Sequence, residues 1–321
     1  MTIVCDRHIP YLVEAVQAHW PEVQICPMEA DEITASSVRE ADVLVIRTRT
    51  IVNESLLSGS HVHLVCTATI GFDHIDTAYC AANGIRWMSC PGCNAQAVCD
   101  YIEEALEEYP ITNTPTIGIV GVGHVGSLVA SMAARKGYTV LLNDPPKRIG
   151  VSLDEIAREC DIITFHVPLT GTPNTARCVD RIKTEFPTFH LCDEVFLAKC
   201  KPHALIINAA RGGVVDEPVL LESGHPYVLD TWESEPDIRS EVVNHALLAS
   251  MHIAGYSAEG KRNATQMCLD AIADEFHLAG ILVPHPKGEG DRDPGWLKRI
   301  SDRLKSAPML FETLRKNYVL R

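Results

Sequence analysis

Residues 116–126 read TIGIVGVGHVG, and no other stretch narrows the possible folds as far. The apolar run Ile117–Val122 flows directly into Gly121-x-Gly123-x-x-Gly126. A helix-forming segment, Ser127–Lys136, follows, and the next apolar run, Tyr138–Leu142, ends at Asn143-Asp144. The spacing predicts strand, glycine turn, helix and strand, with an acid closing the second strand. Glycines at Gly121, Gly123 and Gly126 let the backbone turn tightly and approach a pyrophosphate. The helix N-terminus behind them offers that anion free N–H groups and the positive end of its dipole. Asp144 stands 23 positions after Gly121, where a carboxylate accepts both adenosine ribose hydroxyls. The same carboxylate repels a 2′-phosphate, so the expected cofactor is NAD rather than NADP.

The surrounding chain alternates in type. Before the glycine turn, strands are predicted at Thr2–Cys5, Val23–Cys26, Val43–Ile46, Leu64–Thr67 and Ile85–Met88. Helices are predicted at Pro10–His19, Ala35–Glu40, Glu54–Leu57 and Ile75–Asn83. Alternation of this kind specifies a parallel, doubly wound sheet. Asn94 is a good N-cap for a helix running to about Tyr109, which Pro110 and Pro115 break just before the glycine turn. After that turn the pattern continues: helix Leu153–Glu159, strand Ile162–Val167, helix Glu194–Lys199, strands Ala204–Ala209 and Tyr227–Leu229, and a last apolar run, Leu247–Ile253. Helical periodicity resumes over Ala258–Ala279 and fits a return to the first domain. The Pro-, Gly- and charge-rich stretch Pro284–Pro294 reads as a linker, and Leu297–Leu320 as one or two amphipathic helices. The predicted fold is α/β: two doubly wound, parallel-sheet, Rossmann-like domains with a short C-terminal helical extension. The boundaries are 1–93 with 254–283, 94–253, and 284–321. A chain of 321 residues suits that division.

Bulk composition excludes several classes of partner. A net charge of −14 disfavours nucleic acid and anionic membrane. No apolar stretch approaches the roughly 18 residues that span a bilayer. Asp6 and Arg7 interrupt the N-terminus before it can read as a signal peptide, so a cytoplasmic setting is expected. The 12 cysteines are scattered singly and are expected to be reduced thiols. The C-x-x-C at Cys90-Pro91-Gly92-Cys93 reads as a turn. His61 and His63 lack partner ligands at metal spacing, so no metal is expected.

Three further stretches place polar groups at the ends of apolar strands: LIINAARGGVVD (205–216), LDTWESEP (229–236) and SMHIAGY (250–256). In an open α/β sheet that edge is where ligands bind. Taken singly, Arg211 favours a carboxylate clamp over half of a salt bridge, whereas Glu235 reads as a solvated turn acid and His252 as a packed structural histidine. Taken together they supply a carboxylate clamp, a titratable imidazole and an acid to tune it. Hydride transfer from a 2-hydroxy acid to NAD needs those parts.

The order GVGHVG, Asp144, NAARG, DTWESEP, HIAGY resembles the D-isomer-specific 2-hydroxyacid dehydrogenases. The resemblance implies Arg211, Glu235 and His252 as catalytic residues. It implies substrate contacts at Thr48, Thr69 and Tyr256. It implies NAD contacts at Asp144, Val167, Asp230 and Gly255 besides the glycine turn. Residues 1–93 with 254–283 then become the substrate domain, 94–253 the NAD-binding domain and 284–321 a dimerisation extension. Thr48 stands where the family commonly has Ser, and Val167 where it commonly has Thr. The motifs Val52–Leu57, Thr67-Ala68-Thr69, Pro91–Ala95, Asp144-Pro145-Pro146, His252–Tyr256 and the tail from Phe311 to Tyr318 narrow the resemblance to a branch acting on a phosphorylated 2-hydroxy acid. Arg47, Arg49, Thr48 and Thr69 are candidates for its phosphate. Leu297, Ile300, Leu304, Leu310, Phe311 and Leu314 form an apolar face that one short helix cannot bury alone. A second subunit is expected to cover it, giving a homodimer in which Arg315 or Lys316 reaches the partner's site. Two other readings stay open: another D-2-hydroxyacid dehydrogenase, such as one acting on phosphoglycerate, and a non-catalytic NAD-sensing protein of the same fold.

Overall fold

The computed structural model describes residues 1–72, 74–109, 114–171, 185–286 and 294–320. They divide into two compact units. One comprises the described residues of Met1–Asn94 and Ser257–Glu289, the other those of Ala95–Asn174, Ile182–Tyr256 and Gly290–Arg321.

The first unit runs β1 (Thr2–Asp6), α1 (Leu12–His19), β2 (Gln24–Met28), β3 (Val43–Ile46), α2 (Glu54–Leu57), β4 (Leu64–Thr67), α3 (Thr77–Ala82) and β5 (Arg86–Met88). Its sheet has the order β2-β1-β3-β4-β5, and every pairing is parallel. β3 and β4 are buried along their whole length, as strands covered on both faces must be. The period of two sorts their side chains into two cores. Ile3, Cys5, Val43, Val45, Leu64 and Cys66 pack with Leu12 and Val16 of α1 and with Leu269 and Ile272 of α10 (Ala258–Phe276). Val4, Leu44, Ile46 and Val65 pack with Leu56, Leu57, Ile75 and Cys80. Pro27, which has no N–H to donate, lies on the edge strand β2, where none is needed. Asn53, Asp76 and Ser257 cap α2, α3 and α10 with their side chains. The helix expected at Ala35–Glu40 does not form; the segment is a series of turns. There the Thr34 and Ser36 hydroxyls bond each other, and the Ser37 hydroxyl donates to the Glu32 and Thr34 carbonyls. Short hydroxyl side chains compete in this way with helical hydrogen bonds.

The second unit opens with α4 (Ala95–Glu107) and continues β6 (Thr116–Val120), α5 (His124–Arg135), β7 (Thr139–Asp144), β8 (Ile149–Gly150), α6 (Leu153–Glu159), β9 (Ile162–Phe165), α7 (Glu194–Leu197), β10 (Leu205–Asn208), α8 (Glu217–Ser223), β11 (Tyr227–Leu229), α9 (Ser240–His245) and β12 (Leu248–Ala249). It closes with α11 (Trp296–Ser306) and α12 (Phe311–Lys316). The sheet order is β12-β11-β10-β9-β6-β7-β8, parallel except for β8. Winding runs outward in both directions from β6 and β9, so the switch point lies at their carboxyl ends. Gly121, Val167, Arg211, Asp230 and His252 lie just beyond strand carboxyl ends of this one sheet, and Asp144 is the last residue of β7.

The apolar face of the C-terminal extension is covered within the chain rather than left for a partner. Leu297, Leu304, Phe311 and Leu314 are buried in the same core as β6, β9 and β10. Trp296 meets Tyr101 of α4 edge-on, with ring centroids 6.1 Å apart. Ser301 Oγ accepts the Ala249 N–H of β12 at 3.0 Å, and Lys305 Nζ donates to the Ala246 carbonyl at 2.5 Å. Of the six apolar residues of that face, Leu310 alone is markedly exposed. Pro110 and most of the linker read at Pro284–Pro294 lie outside the described residues. Among the described residues no helix is long and apolar enough to cross a membrane.

Candidate active site

The glycine turn is built by steric exclusion. Gly121 has φ +93°, and a Cβ there would lie 2.6 Å from the His166 carbonyl oxygen. A Cβ on Gly126 would lie 1.9 Å from the Gly121 carbonyl, so glycine lets α5 start flush against the turn. Gly123 differs: nothing lies within 4 Å of its Cβ position. It is the N-cap of α5 and offers no side-chain cap. The first amides of a 12-residue helix therefore face an uncluttered space, the cradle a pyrophosphate requires. Asp144 closes β7, 8% exposed, and its Oδ2 accepts the Val122 N–H at 2.9 Å. The carboxylate is thereby fixed against the glycine turn. Lys147 Nζ stands 3.7 Å from it. The Val167 side chain borders Gly121. His166, beside it, is held neutral, its pKa pushed down to about 3 by burial. These residues fit a dinucleotide.

The end of β10 carries the next group. Asn208 Nδ2 donates to the Arg211 carbonyl at 2.8 Å, and Asn208 Oδ1 accepts the Ala210 N–H at 3.1 Å. This side-chain bracket aims Arg211 off the strand end, at the start of a 3₁₀ turn over Gly212–Val214. Gly212 is obligatory here, since a Cβ would lie 2.0 Å from the Trp232 carbonyl. The Arg211 loop and the turn carrying Glu235 are thus in backbone contact.

Glu235 and His252 meet directly. Glu235 Oε2 accepts from His252 Nδ1 at 2.8 Å, and Oε1 accepts the Trp232 N–H at 2.9 Å. A carboxylate has no proton to give, so Nδ1 carries the hydrogen and Nε2 of the neutral ring is the acceptor. Burial pushes the Glu235 carboxyl up, but the bond and charge of His252, the Trp232 amide and the charge of Arg315 outweigh it and hold it below the ordinary range. His252 sits at φ +57°, left-handed backbone uncommon for a side-chain-bearing residue. Asp230 imposes that bend. Its carbonyl accepts the His252 N–H at 2.8 Å. Its carboxylate, 1% exposed, takes the Ile253 and Ala254 amides at 2.8 and 2.9 Å and the Ser250 hydroxyl at 2.6 Å. Gly255 lies in the turn that follows, closed by Tyr256 N–H on the Ile253 carbonyl at 2.8 Å.

Sequence reasoning missed two features of this region. Arg315 of α12 reaches Tyr256 of its own chain, its Nε donating to the Tyr256 hydroxyl at 3.2 Å. On the other side of the Glu235 turn, Glu217 is 1% exposed and its Oε1 accepts the Glu233 N–H at 2.7 Å. Burial pushes Glu217 up to about 7. His190 joins Glu233 through Nε2 and Asp216 through Nδ1, the latter at 3.1 Å. None of these contacts follows a sequence motif.

Thr48 and Thr69 belong to the first unit. Thr48 is exposed on the turn after β3. Thr69 Oγ1 lies 2.7 Å from Thr67 Oγ1 and donates to the Gly71 carbonyl at 2.9 Å. Arg47 is committed elsewhere: Nε and Nη2 grip the two oxygens of the buried Asp6 at 2.8 and 3.1 Å. Among the described residues no group of His, Cys, Asp and Glu could hold a metal ion.

Comparison with known proteins gives the family. Residues 103–254 match the family model for the D-isomer specific 2-hydroxyacid dehydrogenase NAD binding domain. Erythronate-4-phosphate dehydrogenase of Bacteroides thetaiotaomicron is 42% identical, over 100% of this chain and 97% of its own length. The Porphyromonas gingivalis enzyme of that name is 39% identical, over 89% of this chain and 79% of its own. Among solved structures, a D-isomer specific 2-hydroxyacid dehydrogenase from Lactobacillus delbrueckii ssp. bulgaricus superposes with TM-score 0.67 at 21% identity, covering 88% of this chain and 100% of that one. The chain is an NAD-dependent dehydrogenase and belongs to the D-isomer specific 2-hydroxyacid dehydrogenase family, in its erythronate-4-phosphate dehydrogenase branch.

Proposed function

We propose that the chain oxidises 4-phospho-D-erythronate to 2-oxo-3-hydroxy-4-phosphobutanoate, a step in the synthesis of pyridoxal 5′-phosphate. The observation that carries the chemistry is the 2.8 Å bond from His252 Nδ1 to Glu235 Oε2, at the same sheet edge as the glycine turn. Arg211 holds the C1 carboxylate with a planar fork of N–H donors. His252 Nε2, the acceptor nitrogen, takes the C2 hydroxyl proton as the C2–H bond breaks. Glu235 fixes the tautomer beforehand and stabilises the imidazolium afterwards. Bound NAD would supply the hydride acceptor. Gly121, Gly123 and Gly126 would hold its pyrophosphate and Asp144 its adenosine ribose. Val167, Asp230 and Gly255 would line its nicotinamide end, Asp230 through the turn it braces. Tyr256, Thr48 and Thr69 complete the substrate contacts.

In this reading residues 1–93 with 254–283 serve the substrate, 94–253 the cofactor, and 284–321 a homodimer in the cytoplasm. Exposed Met309, Leu310 and Val319 on the extension support a partner surface there. Free thiols at every described cysteine suit a reducing compartment. Light scattering tests the dimer, and a monomer at micromolar concentration refutes it. The reaction is tested by NADH formation with 4-phospho-D-erythronate, 3-phosphoglycerate and unphosphorylated D-erythronate. The first should give the highest kcat/KM by at least tenfold. A higher value for 3-phosphoglycerate would replace the proposed substrate.

A further inference from the structure

The proposed substrate has two anionic ends, and Arg211 answers only one of them. Of the arginines the sequence offered for the phosphate, Arg47 is held bidentately by Asp6, a carboxylate whose side chain is 0% exposed. A fork closed on a buried carboxylate is locally neutralised and spent. Arg315 is placed differently. Its helix, α12, is anchored by Phe311 and Leu314 in the core of the second unit. Its guanidinium carbon lies 5.7 Å from the centroid of the Tyr256 ring. Nε donates to the hydroxyl of the same tyrosine at 3.2 Å. Tyr256 lies four residues after His252, on the segment that Asp230 folds. Among the described residues the nearest acidic oxygen is Glu312 Oε2, at 3.9 Å from Nη1, a loose contact on the same helix turn. The side chain keeps 28% of its surface exposed. Its charge also reaches Glu235, helping to hold that carboxyl ionised. The result is a half-buried cation, fixed at its Nε by the tyrosine four residues after His252, with no acid among the described residues locked on its outer nitrogens.

We propose that Arg315 is a substrate-binding residue of its own chain's site, and that its guanidinium, oriented by Tyr256, takes the phosphate at the far end of the 2-hydroxy acid. This rests on the reaction proposed above. It also changes the topology expected from the sequence, in which that arginine served a partner's site. A guanidinium is the group suited to a phosphate dianion, because two parallel N–H bonds match two phosphate oxygens. Lysine in its place would keep the charge and lose the fork.

The test is steady-state kinetics of wild type, Arg315→Gln and Arg315→Lys at saturating NAD, with 4-phospho-D-erythronate and with unphosphorylated D-erythronate. For Arg315→Gln, KM for the phosphorylated substrate should rise on the order of 10–100-fold, the worth of a charge-assisted bond. For Arg315→Lys it should rise less. Both variants should keep their KM for D-erythronate and their NADH affinity, which also shows that they fold. Equal losses on both substrates would make Arg315 a positioning residue acting through Glu235 and overturn the assignment, as would no loss on either. A wild type that does not oxidise 4-phospho-D-erythronate refutes the proposed reaction instead. In that case inorganic phosphate is the probe. A rise in thermal midpoint in wild type that Arg315→Gln loses supports the phosphate site; an equal rise in both, or none in wild type, overturns it.

Discussion

With Nδ1–H given to Glu235 at 2.8 Å, the His252 ring keeps one nitrogen for chemistry, and which one is decided by its partner. His252→Asn should therefore lower kcat by on the order of 10²–10⁴ while NADH affinity stays near wild type. A variant that keeps half its kcat would remove His252 from proton transfer. A second carboxyl, Glu217, carries a pH dependence of stability. Folding raises its pKa from 4.5 to about 7. Between those values the folded chain holds a proton that the unfolded chain releases, so stability falls as pH rises through that window. Above it, the folded state bears the full cost of an ionised buried group. Glu217→Gln keeps an acceptor for the Glu233 amide and removes that charge. Its thermal midpoint relative to wild type should climb from about pH 5 to about pH 8, and a flat difference would show that Glu217 does not titrate there. Arg211, Glu235 and His252, the residues of the proposed reaction, stood out in the sequence because each follows an apolar strand in a polar, glycine- or proline-marked turn. The grip of Arg47 on Asp6 and of His190 on Glu233 was not, since those partners lie 41 and 43 positions apart. Chain folding, rather than local pattern, brings them together.

The elements themselves were read best where one period dominates. β3, β4, α2, α6 and β11 occupy the spans their apolar runs predict. The run Leu247–Ile253 looks like one long strand, yet only Leu248 and Ala249 pair with β11. Beyond them, the Ser250 hydroxyl and the Ile253 and Ala254 amides turn to the Asp230 carboxylate. A buried acid thus outcompetes the neighbouring strand for backbone donors, and hydropathy carries no trace of that. α8 and α9 escaped notice because each is short and begins among acids and prolines. The glycine turn was legible because its geometry tolerates so few residues. Its partner element, β7, delivers Asp144 to the Val122 amide. Asp144→Ala should reduce the preference for NAD over NADP by about tenfold or more, as a 2′-phosphate would no longer meet a carboxylate. The ratio of kcat/KM for the two cofactors measures it, and an unchanged ratio would mean that another group reads the ribose.

At the scale of the whole chain, the C-terminal extension is a structural part of the cofactor-binding unit. Four of its apolar side chains, Leu297, Leu304, Phe311 and Leu314, are buried in that unit's core. Losing a single buried leucine commonly costs about 2–5 kcal/mol, against a total stability of about 5–15 kcal/mol. A chain ended after Gly290 should therefore be insoluble or bind NADH at least tenfold more weakly, as fluorescence titration of any soluble fraction would reveal. A soluble truncation with wild-type NADH affinity would show that the core closes without α11 and α12. The sequence revealed an apolar face in need of cover but could not say whose surface covers it. The same pattern serves a helix docking in cis and a helix docking on a second subunit.

The seat of Ser301 on the Ala249 amide has a consequence for how the protein is made. β12 is the outermost strand of its sheet, and α11 closes it. Yet the chain emerges from the ribosome in order: first β12, then α10 of the other unit, and only then α11. At about 5–20 residues per second, that unprotected strand border is on offer for a few seconds to any other nascent chain. Translation speed through α10 and the availability of a holdase chaperone should therefore bear on the yield of native protein, alongside the stability of the finished molecule.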